Sequence, residues 1–362
     1  MIVNGLFGKP GVTNYQFNDD LNILTGRNGS GKTTIMKLAW SVISGNILLA
    51  LREINFKTCT VHTDEYTCTV IRTASQSCRI ELEIDGNTYE LEDDDDEDPN
   101  SFTEYAENKA QSILVERGSS IFFPTFRRIE GGFWITPTTP HRARPGAKTA
   151  GDLEESLVQV SRKLSSSQHS FVAALSSQDI VSLLLKRYTV LSEEINNFQG
   201  EVTKSVIEKI RQYENTQNSR QDADSLLSET RAEIEKIEDF SSRTLTPLNA
   251  VRDLVESLFQ HTGISFGTRL NFGDAAAAVT SDALSAGEKQ MLSFICYNAF
   301  NKNSIIFIDE PELSLHVDWQ RKLYSILESQ GSGNQFIFAT HSPFIYAKYP
   351  DKEVSVGIDK GE

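Results

Sequence analysis

The sequence predicts an α/β fold: a parallel sheet wrapped by helices, with an antiparallel β subdomain and a helical, short coiled-coil insertion. Three observations carry this. A glycine-rich turn, Gly26-Arg27-Asn28-Gly29-Ser30-Gly31-Lys32-Thr33, sits between the apolar run Leu21–Thr25 and a helical pattern through Thr34–Trp40. Near the other end four apolar residues, Ile305–Ile308, run into Asp309-Glu310, and strand and helix patterns alternate around them. Between these two parts, residues 152 to 260 read as helix with few β signals.

Taken in order, Ile2–Phe7, Tyr15–Phe17 and Leu21–Thr25 are strands, and a helix runs from Gly31 to about Ser44. Four alternating or β-rich runs follow, Asn55–His62, Tyr66–Arg72, Cys78–Ile84 and Thr88–Leu91, the last two joined by Asp85-Gly86-Asn87. They make an antiparallel meander. The acidic run Glu92–Asp98 is a solvated loop, Phe102–Glu116 a helix, and Ser120–Phe123 an apolar strand. Residues 129 to 151, rich in Gly, Pro and Thr, form a long loop. With Arg127, Arg128, Arg142, Arg144 and Lys148 it is the one locally basic region. Leu184, Tyr188, Leu191, Ile195, Phe198 and Val202 then step by four and three, a helical seam that continues after a stutter through Val206, Ile210 and Tyr213. Glu214–Ser225 is the polar tip, and Leu227, Ile234, Ile237 and Phe240 mark the returning arm. A β-rich Ile264–Phe272, a helix opening at Leu284–Gln290 and ending near Phe300, a helix at Asp318–Ser329 and a strand at Gln335–Ala339 complete the chain. The expected domains are 1–150, 151–262 and 263–362.

With 39% hydrophobic and 23% charged residues the composition is globular. The net charge is −15, seven of it in Glu92–Asp98, which argues against a generally basic nucleic-acid binder. No apolar stretch is long enough to span a membrane, so a cytoplasmic protein without membrane contact is expected. Cys59, Cys68, Cys78 and Cys296 lack metal or redox spacing, and three fall on predicted strands as small apolar residues.

The spacing Gly, four residues, Gly-Lys-Thr is that of a phosphate-binding loop. Its glycines let successive N–H groups point at the β- and γ-phosphates, with the positive end of the helix behind them. Nucleotide contacts are therefore expected at Gly26, Asn28, Gly29, Ser30, Gly31, Lys32, Thr33 and Thr34, with the Thr33 hydroxyl on Mg²⁺. A buried strand ending in Asp309-Glu310 delivers two carboxylates beside that loop. Asp309 suits the same Mg²⁺, and Glu310 can orient or deprotonate an attacking water.

Together the phosphate loop, Leu284-Ser285-Ala286-Gly287-Glu288-Lys289-Gln290, Asp309-Glu310 and His341 resemble, in order and type, the motifs of ABC-type ATPases. That resemblance implies an ABC-type P-loop ATPase head using ATP and Mg²⁺. Ser285, Gly287 and Glu288 would form the signature that closes on the γ-phosphate of another subunit. Asp318 would lie between subunits, and His341 would be the switch histidine. It also implies a homodimer or higher homo-oligomer. Pro311-Glu312-Leu313-Ser314-Leu315-His316, in place of the transporter pattern, is similar to the RecF, SMC and OLD branch. Phe123–Arg128, just after a strand, looks like the segment that occupies the place of the Q-loop in OLD-like proteins. The compact plan resembles stand-alone ATPases of anti-phage systems such as AriA of PARIS and PtuA of Septu. The expectation is thus a switch that controls a separately encoded effector. The alternatives are a RecF-like repair ATPase on DNA, which leaves nucleic acid open as a partner, an ATP-stabilised scaffold that does not hydrolyse, and a transporter subunit.

Overall fold

The computed structural model describes residues 1–93, 105–125, 128–129, 150–166, 168–175, 177–214, 220–258 and 285–357. The readings of 94–98, of most of the basic loop, of 264–272 and of Leu284 lie outside them. The chain divides into two compact units. One comprises Met1–Ser176, Ala286–Met291 and Asn301–Glu362, the other Ser177–Ser285 and Leu292–Phe300.

In the first unit β1 (Ile2–Asn4), β2 (Val12–Asn14) and β3 (Leu21–Thr25) lead into α1 (Lys32–Ile43) and α2 (Ile47–Glu53). The meander follows as β4 (Thr58–His62), β5 (Tyr66–Arg72), β6 (Cys78–Ile84) and β7 (Asn87–Leu91). Its inward faces alternate as the sequence does: Cys78, Ile80, Leu82 and Ile84 of β6 are buried between exposed or half-buried neighbours. β2 and β1 extend it to six antiparallel strands in the order β2-β1-β4-β5-β6-β7. The first two strands differ from expectation. Gly5 (φ 69°) and Phe7 (φ 58°) adopt left-handed backbone, which ends β1 at Asn4, and β2 forms at 12–14 rather than 15–17. α2 is an element the sequence reading did not separate from α1.

A second, parallel sheet is built from β8 (Ser120–Phe123), reached through α3 (Ala106–Leu114), and from strands of both chain ends. β9 (Arg128–Ile129) and β11 (Ala174–Leu175) pair by themselves, while α4 (Ala150–Leu164) precedes β10 (His169–Phe171) at one edge of the larger sheet. The stretch read as helical therefore holds two short strands. Three residues are too few for a period-2 signal, and β10 forms because β8 offers it a ladder.

Trp40 of α1 packs 5.5 Å from Phe122 and 5.3 Å from Phe171, which stack on each other at 5.6 Å, so one indole joins helix, β8 and β10. His169 is fully buried beside them, its Nδ1 2.8 Å from the Ser120 hydroxyl and its Nε2 3.3 Å from the Leu114 carbonyl. Burial depresses its pKa. Because the unfolded chain then binds more protons below about pH 6.5, this residue's contribution is full above that pH and is lost as pH falls towards the folded value. The urea midpoint should drop between pH 7.5 and 5.5, and His169→Gln should start lower but show a flatter pH slope; an unchanged slope would remove His169 from the acid response.

In the second unit α5 (Ser177–Glu214) and α6 (Arg220–Leu258) run antiparallel, so the polar tip is shorter than expected. Phe198 stacks on Phe240 at 4.2 Å, and Lys209 Nζ lies 3.5 Å from both Glu229 and Glu233. Leu184 and Val202 are buried as the seam requires, and Ile237 and Phe240 are half-buried, but Tyr188, Ile210, Leu227 and Ile234 are 38%, 39%, 68% and 51% exposed. α7 (Ala286–Phe300) contributes residues to both units.

The chain closes on β12 (Ile305–Asp309), α8 (Val317–Glu328), β13 (Gln335–Ala339), α9 (Pro343–Tyr346) and β14 (Glu353–Ser355). The parallel sheet has the order β10-β8-β12-β13-β3-β14. All four cysteines are buried and unpaired; burial pushes the thiols of Cys59, Cys78 and Cys296 up to about 12.

Candidate functional site

Parallel pairing puts the carboxyl ends of β8, β12, β13 and β3 on one edge of the sheet, where open α/β sheets bind ligands. Each end carries one sequence-predicted group or its neighbour. β3 leads into the loop at 26–31, whose shape needs glycine twice over. Gly26 has φ 147°, and a Cβ there would lie 2.5 Å from the Val356 carbonyl; Gly31 has φ 104°, and a Cβ there would strike the Phe7 ring at 2.7 Å. α1 starts immediately after, at Lys32, so its free N–H groups face the loop.

Lys32 is buried, and its Nζ donates to the Gly26 carbonyl at 3.0 Å and to His341 Nε2 at 2.7 Å, which requires a neutral imidazole. Burial lowers the pKa of both groups; the carboxylates of Glu310 and Asp309 oppose this at Lys32, and the Lys32 charge adds to it at His341. Thr33 Oγ1 donates to Asp309 Oδ1 at 3.0 Å, and Thr125 donates to the other oxygen of Asp309. Glu310 takes a left-handed backbone (φ 48°), its N–H donates to the Ala339 carbonyl at 2.8 Å, and its carboxyl stands 3.5 Å from His341. A glutamate in that conformation is strained, and such strain gathers where a side chain must be aimed. Its pKa is pushed up to about 8 by burial first, then by the hydrogen bond and charge of Glu312 and by Asp309, with Lys32 opposing.

Gly26, Asn28, Gly29, Ser30, Gly31, Lys32, Thr33 and Thr34 are thus gathered with Asp309, Glu310 and His341 at one sheet edge. Asn28 and Gly29 are exposed, and the buried Ser30 hydroxyl has no hydrogen-bond partner. That orphan donor, the backbone cradle and the pair of hard oxygens on Thr33 and Asp309 fit a triphosphate with Mg²⁺. Gly287 and Glu288 begin α7 instead, where a Cβ on Gly287 would lie 2.3 Å from the Ser314 carbonyl and where Gln290 Nε2 donates to the Pro311 carbonyl at 3.0 Å. Ser285 is exposed.

Three residues were not foreseen. Thr125 lies in the segment Phe123–Arg128, and its hydroxyl reaches Asp309. Glu312 accepts from Thr340 Oγ1 at 2.7 Å and from the His341 N–H at 2.8 Å, tying the segment after β12 to the segment after β13. Gln320 of α8 repeats the link, donating to the Leu315 carbonyl at 2.8 Å and accepting from Ser342 at 2.7 Å. Glu312→Ala should leave the Thr340 and His341 donors unpaired and lower ATP turnover by roughly 10- to 100-fold, with a smaller change in nucleotide affinity. Equal turnover of mutant and parent would show that this tie is dispensable.

Fold and site together define a P-loop ATPase. The family described as "AAA domain, putative AbiEii toxin, Type IV TA system" matches residues 77–347, and the chain belongs to it. The match includes Asp309, Glu310 and His341 and begins after the loop 26–33. Among curated proteins the chain is similar to the Retron Vc95 probable ATPase of Vibrio cholerae serotype O1 biovar El Tor. The two are 22% identical over 196 residues, 49% of this chain and 36% of that one, so the chain spans only about a third of this relative's length. Among solved structures it is similar to the Smc head domain with an extended coiled coil bound to the C-terminal domain of ScpA, from Pyrococcus furiosus. There the identity is 13%, coverage is 99% of this chain and 93% of that one, and the TM-score is 0.38. The SmcHead bound to the C-winged helix domain of ScpA gives 13%, 99%, 94% and 0.40. Among the described residues no helix is long and apolar enough to cross a membrane.

Proposed function

We propose that the chain binds ATP with Mg²⁺ at the edge carrying Lys32, hydrolyses it with Glu310 as the base, and uses the change to control a separately encoded effector in anti-phage defence. The observation that carries this is the approach of Thr33 Oγ1 to Asp309 Oδ1 at 3.0 Å, with Glu310 aimed beside them. Mg²⁺ supplies charge for the phosphates when held by these two residues. His341, neutral and within reach of Lys32 and Glu310, orients both. The defence role is supported by the retron protein among the relatives, and by the resemblance of the compact plan to AriA and PtuA.

In this reading Ser285, which is exposed just before α7, contacts a phosphate held by another copy, and the nucleotide sites are shared between subunits. Ser285→Arg should therefore keep nucleotide binding but block turnover. Mixed with Lys32→Ala, it should regain activity, because one site of the mixed dimer keeps both intact halves. No recovery at any mixing ratio would mean that each chain holds a complete site. An effector is controlled only if it prefers one nucleotide state, so co-purification of a neighbouring gene product should differ between ATP and ADP.

A further inference from the structure

We propose that the segment following β14 is a wall behind the phosphate loop, with Gly357 as a positioning residue that sets how tightly nucleotide is held. The inference rests on the nucleotide reading of that loop, and residues 353–357 lie beyond the family match, which ends at 347. A row of contacts fixes this segment against β3. Lys352 Nζ stands 2.7 Å from Asp20 Oδ1, Glu353, Val354 and Ser355 pair in parallel with Ile23, Leu24 and Thr25, and the Thr25 hydroxyl donates to the Glu353 carboxylate. Val356 anchors the far end: its side chain is buried in the main core, and its N–H donates to the Thr25 carbonyl at 2.8 Å.

Past that anchor the chain meets the loop itself. The Val356 carbonyl faces Gly26, where any Cβ would lie 2.5 Å from it. Gly357 (φ 93°) then passes Ser30, and a Cβ on Gly357 would lie 3.2 Å from Ser30 Cβ and 3.6 Å from the Ser30 carbonyl oxygen. Glycine is thus needed on both sides of the contact, in the loop at 26 and in its wall at 357. Within the loop the Ser30 N–H donates to the Arg27 carbonyl at 3.0 Å, so the wall backs the two residues between which the loop curls. Only a loop seated in this shape aims its N–H groups at phosphate, and affinity falls with the fraction of molecules in which it is seated. A methyl group on Gly357 would press on Ser30 and lower that fraction. Bound nucleotide reseats the loop before chemistry, so the loss falls on affinity and spares saturated turnover.

Full-length Gly357→Ala should bind a fluorescent ATP analogue about tenfold more weakly, as coupling between residues in contact allows, while kcat at saturating ATP stays within about twofold of the parent. In nucleotide-free protein, hydrogen exchange at the Ser30 amide should be about tenfold faster than in the parent. Backbone strain at a positive φ weakens the variant wherever its side chain points, and Ser30→Gly separates that cause from the contact. It deletes the Cβ that the new methyl meets and leaves the strain at 357 in place. The affinity loss caused by Gly357→Ala should therefore shrink to within about twofold in a Ser30→Gly background. Gly357→Asn, which keeps a Cβ and tolerates positive φ better, carries the same measurements if the alanine variant melts below the assay temperature. Parental affinity or parental exchange in a folded variant, an equal loss in both backgrounds, or a loss confined to kcat overturns the proposal while the parent still binds ATP. A parent that fails to bind ATP ends the nucleotide reading itself, and the proposal with it.

Discussion

Lys32→Ala is expected to abolish tight ATP binding. The ammonium is the buried cation of the loop, held by the Gly26 carbonyl and His341 where the β- and γ-phosphates would lie. Hydrogen bonds to charged groups contribute about 1.5–3 kcal/mol each, so losing two should weaken binding by roughly 10²–10⁴ in Kd. The variant should nevertheless stay folded. Burial already lowers the pKa of this lysine, so removing it also removes a desolvation cost. A titration with a fluorescent ATP analogue, with thermal melting alongside, separates the two effects. Parental affinity in a well-folded variant would falsify the phosphate-loop reading.

The second large effect is kinetic. Glu310→Gln should retain ATP and slow turnover by about 10²–10⁴, the range that a positioned general base supplies. The substitution is conservative in this setting. Burial and the neighbouring carboxyls of Glu312 and Asp309, which push the Glu310 pKa up to about 8, make this carboxylate a stronger proton acceptor than an ordinary one, a property the isosteric amide lacks. The strained backbone, fixed by the N–H bond to the Ala339 carbonyl, is left intact. Single-turnover quench with radiolabelled ATP should show ATP held and phosphate absent, with the ATP-bound assembly accumulating. Normal phosphate release would move the base to another residue.

Much of this site is legible in the sequence because its parts are local. The loop 26–33 announces itself by spacing, Ile305–Asp309 by an apolar run ending in acid, and β8 and β13 take the bounds that their apolar residues mark. The meander reads correctly because buried and exposed residues alternate along β4, β5 and β6. What sequence does not display is the tie between distant segments. Nothing in the spacing of Glu312 and Thr340 says that a carboxylate of one caps the other, and Thr125 reaches Asp309 only because β8 and β12 are neighbours. β10 and β2 fail for a related reason: a three-residue strand is defined by its partner rather than by its own pattern. Leu227 and Ile234 read as seam by apolar character alone, and their exposure takes them off it.

The sheet order also has a consequence for how the chain is made. β3, which launches the phosphate loop, has β13 and β14 as its two neighbours, so its ladder partners leave the ribosome roughly 310 residues after it does. At about 5–20 residues per second this is an interval of roughly 15–60 s. Through it the all-buried Leu21–Thr25 has no native sheet to join and displays both unpaired edges. The antiparallel strands Thr58–Leu91 close on one another long before. Nascent chains should therefore protect the meander from protease early. The nucleotide loop should stay chaperone-dependent until translation has passed Ser355, and ATP cannot template a fold whose binding edge is assembled last.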